Sequence, residues 1–177
     1  MMFAGIAALP VATWAAEPKV KPVGQATVVD ATGKKVGSVV NTQGGLAGVL
    51  IEVEGRIFSV NVTKDGLVPT GTGLLFATPD CSGTPYLPPS VPNSLVSGST
   101  FGPPGKSLYV EESGAIAQLV LPLSQIIVPP AGPASCVTFP PPPPGVPPPG
   151  PALLVPAVQL VNLNVFVPPP FSIRTTP

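Results

Sequence analysis

The chain contains no histidine. That removes Ser-His-Asp and Cys-His nucleophilic catalysis and every histidine-based metal site. Charge is nearly as scarce. Asp, Glu, Lys and Arg make up 9% of residues, against about 25% in ordinary soluble domains, and eight acids cancel eight bases. With no basic patch to neutralise phosphates, nucleic acid is not an expected partner. Beyond the start of the chain no run reaches the roughly 18 apolar residues of a membrane-crossing helix, so no transmembrane span is expected. The one tryptophan, Trp14, lies in the apolar start, and Tyr86 and Tyr109 are the only tyrosines. Two tyrosines are a poor platform for stacking sugars or bases, and each reads as a strand-edge or core aromatic. Neither a Ser-x-x-Lys, a GxGxxG nor a P-loop occurs, and no cofactor is expected.

Apolar side chains, proline and glycine dominate instead. Hydrophobic residues are 44% of the chain, enough for a core, with 29 prolines and 19 glycines. Residues 1–16, "MMFAGIAALPVATWAA", are apolar, end in small residues and precede the first charge at Glu17. They read as an export signal, although the basic start of such a signal is missing. The expected location is therefore secreted or at the cell surface. Cys81 and Cys136 are the only cysteines. In an exported chain a lone pair of cysteines reads as a disulfide rather than a redox site.

Residues 17–139 read as a β domain. "ATVVDATGKKVGSVV" forms a hairpin candidate in which Asp30, Ala31, Thr32 and Gly33 make a type I turn, with Asp30 facing Lys34 and Val28 facing Val36. "VLIEVEGRIFSVNV" alternates cleanly, and a type II′ turn at Gly55-Arg56 would set Val53 opposite Phe58, Ile51 opposite Val60 and Val49 opposite Val62. Further strands are expected at residues 74–77, 125–128 and 135–139. A long loop is expected at residues 85–106, and a hairpin turning near Ser113-Gly114. No sustained 3.6-residue period occurs. The fold class expected is all-β, a small antiparallel β-sandwich or open barrel.

Residues 140–151 hold nine prolines in twelve positions and read as a polyproline II spacer. At about 3.1 Å per residue such a spacer spans roughly 37 Å, enough to cross its own domain or to reach a neighbour. Residues 152–177 follow as a C-terminal strand segment. In "ALLVPAVQLVNLNVFV" the side chains of Val161, Leu163, Val165 and Val167 fall on one apolar face, and with Val158 they define an assembly strand in search of a sheet.

Other polar groups read as structure. Glu52 and Glu54, two apart, suit a solvated strand face better than a glycosidase pair. Asp65-Gly66 reads as a turn, and Asn61-Val62-Thr63 as an exposed strand.

The stretch "LLFATPDCSGTPYL", with a leading "VVDATGKKVG" and a late "VPAV…PPFS", resembles a loose group of uncharacterised exported bacterial β-proteins in which an apolar strand runs into Asp-Cys-Ser/Thr-Gly-Thr. The resemblance implies export and a disulfide-bearing β fold, and no activity. Together these features point to a non-enzymatic structural or interaction protein of the cell exterior. Its expected partner is itself or another exterior protein, joined by β-strand addition, and a fibre subunit built by strand exchange is the narrower form. The alternative is a monomeric surface module that binds a glycan, a lipid or a protein.

Overall fold

The computed structural model describes residues 25–69, 73–92, 94–129, 132–146 and 150–175. The export-signal segment and residues 147–149 of the proline tract lie outside them. No described helix is long and apolar enough to cross a membrane.

The period-two alternation of the first third becomes a meander of β1 (Ala26–Val29), β2 (Lys35–Gln43), β3 (Leu46–Val53), β4 (Arg56–Thr63) and β5 (Gly66–Val68). Ile51 faces Phe58, Val49 faces Val60 and Ala47 faces Val62, all buried. The register differs by two residues from the expected one. The turn is Glu54-Gly55, not Gly55-Arg56, and Val53 lies opposite Arg56. Both turn residues have positive φ, 51° and 73°. This is the type I′ pattern, whose twist matches that of the strands. A two-residue shift leaves each side chain on its original face, so the inward set stands while the partners change. In the first hairpin Gly33 donates to the Asp30 carbonyl at 3.0 Å, and Asp30 N–H to the Lys34 carbonyl at 3.0 Å, as the type I turn requires. A bulge between Val28 and Val29 sets Val28 opposite Gly37 rather than Val36. Gly37 has no substitute there, because an added methyl would collide with the Leu50 carbonyl.

The second sheet gathers short strands from the remainder: β6 (Leu74–Phe76), β7 (Tyr86–Leu87), β8 (Ser99–Gly102), β9 (Ser107–Glu111), β10 (Gln118–Val120), β11 (Ser124–Ile127), β12 (Ser135–Thr138) and β13 (Ala152–Asn162). Their order is β12-β11-β6-β7-β13-β9-β8, with β10 also on β13. Two expectations are corrected here. The stretch 85–106 is not one loop, since it carries β7 and β8. Nor do β9 and β10 form a hairpin across Ser113-Gly114: β9 pairs with β8 and β13, and β10 pairs with β13.

The strand after the proline tract is claimed by its own chain. β13 meets β10 and β7 along one stretch and β9 along the next. Four strand positions separate β12 from β13, about 19 Å at ordinary strand spacing. The tract between them therefore has slack, and it turns. Val146 N–H donates to the Pro143 carbonyl at 3.0 Å across Pro144 and Gly145, whose φ is 86°. Pro followed by a left-handed Gly is the type II arrangement. A straight rod through residues 140–151 is thus interrupted.

The apolar strand also stops sooner than expected. The Asn162 side chain accepts from Asn164 N–H at 3.1 Å and caps a single helical turn, α1 (Leu163–Phe166). Leu163 and Val167 are consequently buried while Val165 is 80% exposed, so the three do not share a strand face. Val158 is partly exposed, and a register shift between Gln159 and Val161 breaks the alternation before the helix begins. The chain then crosses to the first sheet, where β14 (Ser172–Thr175) pairs with β1. That sheet reads β14-β1-β2-β3-β4-β5.

Both sheets are antiparallel and curled into half-barrels, giving the all-β sandwich or open barrel expected. The main core joins Val28, Val49, Phe58 and Val60 of the first sheet to Phe101, Leu108 and Val110 of the second, with Leu163, Val167 and Phe171 from the C-terminal arm. A smaller cluster of Leu74, Phe76, Leu87 and Ala157 fills the curl of the second sheet.

The β3–β4 turn provides a direct check. Replacing Gly55 by Val puts a β-branched residue at positive φ and should destabilise the fold by about 1–3 kcal/mol. Glu54→Asn, which installs the preferred Asn-Gly pair, should raise the melting midpoint. Thermal unfolding of the two variants reads both, and equal midpoints would place the turn elsewhere.

Candidate functional site

The Asp-Cys-Ser-Gly stretch is a hydrogen-bonded loop before it is anything else. Thr78 Oγ1 donates to the Ser82 carbonyl at 2.7 Å and accepts Ser82 N–H at 3.1 Å. Asp80 Oδ1 accepts the Ser82 hydroxyl at 2.7 Å. The Ser82 and Thr78 hydroxyls hold the Asp80 carboxyl below the usual aspartate range. Cys81, at φ 55°, is turned towards β12 and forms a disulfide with Cys136, with Cα atoms 5.9 Å apart. Fully buried Ser124 of β11 joins loop to sheet: its hydroxyl accepts Cys81 N–H at 3.1 Å and donates to the Thr78 carbonyl at 2.6 Å. Thr138 adds a bond to the Pro79 carbonyl at 2.7 Å. The disulfide closes a separation of 55 residues, worth about 4 kcal/mol in the chain-entropy model.

Two other polar centres are also structural. Asp30 Oδ1 accepts from Thr32 Oγ1 at 2.7 Å, Thr32 N–H at 2.9 Å and Lys34 N–H at 3.0 Å. The Thr32 hydroxyl leads in holding its carboxyl below the ordinary value, aided by Lys34 and opposed by burial. Lys106 is buried in the β8–β9 turn, and burial lowers its pKa. Its ammonium donates to the Pro129 carbonyl, and its own carbonyl accepts Leu163 N–H at 3.1 Å. It therefore ties the turn to the region beyond β11 and to α1. Tyr109 donates to the Pro103 carbonyl at 2.7 Å, and burial raises its phenol.

Glu52 is exposed on β3, whereas Glu54 sits in the turn rather than on the same strand face. Among the described residues no three His, Cys, Asp or Glu side chains group as metal ligands would.

Two surface features were not foreseen in the sequence. Residues 113–173 contain no Asp, Glu, Lys or Arg. They supply β10 to β13 and α1, including β12, an edge strand among the described residues, all four of whose residues are exposed. Ile127 and Val137 share one exposed face at that edge. The other feature is a cavity of about 510 Å³ at the mouth of the first half-barrel. Its floor is core: Val28, Ala47, Val62 and Phe171. Phe171 is held there by its N–H, which donates to the Lys64 carbonyl at 2.8 Å.

Comparison with protein-family models, with curated proteins and with solved structures finds no match.

Ser124 is the group on which the disulfide loop depends. Ser124→Ala leaves Cys81 N–H and the Thr78 carbonyl without their partner and should cost about 1–3 kcal/mol. Denaturant unfolding of the oxidised protein measures this. A change below a few tenths of a kcal/mol would mean that the loop is held by the disulfide alone.

Proposed function

We propose that this is a non-enzymatic exported structural or interaction protein of the cell exterior, associating through β-strand addition. The observation that carries the reading is the charge distribution. The whole run 113–173 lacks Asp, Glu, Lys and Arg, and within it lies β12, an edge strand among the described residues that carries no charge. β12 contains no lysine and no proline, and its pairing with β11 runs without a bulge. Its outward main-chain groups are a template for another strand. The disulfide supports an oxidising exterior.

Two routes to association differ in cost. Exchange of the arm from β13 onward, as in a strand-swapped fibre, requires stripping β13 from β9 and from β7 and β10. Addition at β12 disturbs no existing pair, and is the better supported route. A second reading, the monomeric binding module, is favoured by the cavity floored in part by Phe171.

Light scattering across a concentration series tests assembly. The wild-type chain should form dimers or larger species. Val137→Lys, which places a charge on the exposed face of the edge, should shift them to monomer without lowering the melting midpoint. A chain that is monomeric at all concentrations contradicts the assembly reading.

A further inference from the structure

We propose that the mouth of the first half-barrel binds a single-chain aliphatic carboxylate, its tail on the core and its head group at Lys64. The inference deepens the second reading, the binding module, and does not depend on assembly at β12. Barrel mouths are common ligand sites, and functional pockets usually enclose about 300–1,000 Å³; the cavity, at about 510 Å³, lies within that range.

The lining sorts itself by depth. Val28, Ala47 and Val62 are almost fully buried and form a continuous apolar floor with Phe171. Ile173 stands at the opening, 52% exposed, where a tail would cover it. The polar groups are Thr42 and Gln43 near the tip of the β2–β3 hairpin, Thr63 at the end of β4 and Ser172 at the start of β14. They can orient a head group without reaching the floor. Among the described residues Lys64 is the only charged residue of the lining, and no carboxylate of that lining faces it. A cationic head group would find no counter-charge there, and a sugar would place its hydroxyls against Val28 and Phe171 with nothing to pair them. An aliphatic chain with one negative end satisfies both the floor and the rim. Because the floor belongs to the main core, an occupant extends that core, and binding should raise the unfolding temperature.

The test is calorimetric titration of the purified full chain with dodecanoate below its micelle concentration, with dodecyltrimethylammonium and dodecanol as the cationic and neutral probes. Dodecanoate should bind saturably at one site, raise the melting midpoint, and bind at least tenfold more tightly than the cation. Lys64→Gln should weaken dodecanoate about tenfold and leave dodecanol unchanged, as expected for loss of one charge-assisted contact. Ser172→Trp, at an exposed position on the rim, should block all three probes while the protein stays folded by circular dichroism. Binding that ignores both substitutions overturns the proposal. So does sedimentation with dodecanoate-free anionic vesicles when free dodecanoate is not bound, which would make the site a membrane contact. A chain that stays monomeric yet shows no saturable dodecanoate binding overturns the ligand class and leaves the module reading standing.

Discussion

The fold depends on the pairing of β13 along both of its edges. This strand comes late in the chain and carries Leu154, Val155 and Ala157 into the interior, yet the strands it unites were made long before it: β7 on one edge and β9 on the other, with β10 paired to its first residues. Without it the second sheet falls into β12-β11-β6-β7, β9-β8 and an unpaired β10. The same arm continues through α1 and Phe171 to β14, which closes on β1. Leu163, Val167 and Phe171 lie between the sheets on the way. One C-terminal segment thus completes one sheet, extends the other and fills the core between them. Such pairings join residues far apart in sequence, so their loop-closure entropy must be met before they gain anything. The cross-link between Cys81 and Cys136 offsets part of that cost, because it ties β12 to the loop after β6 and so restricts the unfolded chain.

The proline tract acquires its meaning in this frame. It joins β12 to β13 across intervening strands, and its described residues are nearly all exposed. Proline removes main-chain donors and restricts the unfolded ensemble. The turn at residues 143–146 takes up the excess length. A stiff, folded-back connection is suited to delivering β13 to its own sheet, and it leaves β12, not β13, as the strand available to a partner.

Local signals in the sequence were legible where a face alternates. The inward set of β3 and β4 could be read because six apolar residues fall on one side, and the turn at Asp30 could be read from its residue types. The register of β3 with β4 could not, since a shift of two residues keeps the same faces and only the left-handed Glu54 distinguishes them. β7 and β8 were hidden because Pro, Gly and Ser crowd around short strands whose partners are remote. The end of β13 had a signal, Asn162 two residues before Asn164, but an apolar alternation outweighed it. The two cysteines were legible as a pair. The cavity was not, because it exists only when Phe171 folds back against Lys64, and no local pattern encodes that contact.

Among the described residues the proposed functions rest on what the architecture leaves uncovered: the charge-free edge strand β12, exposed along its whole length, and a barrel mouth with an apolar floor. Both readings presuppose that β13 is already committed inside its own chain. Hydrogen exchange of the monomer, read amide by amide, addresses this most directly. The account predicts that the β13 amides bonded to β9 exchange as slowly as the core amides of β3 and β4, independently of protein concentration. Rapid exchange across Ala152–Asn162 while β3 and β4 remain protected would contradict it and return β13 to the role of a free donor strand.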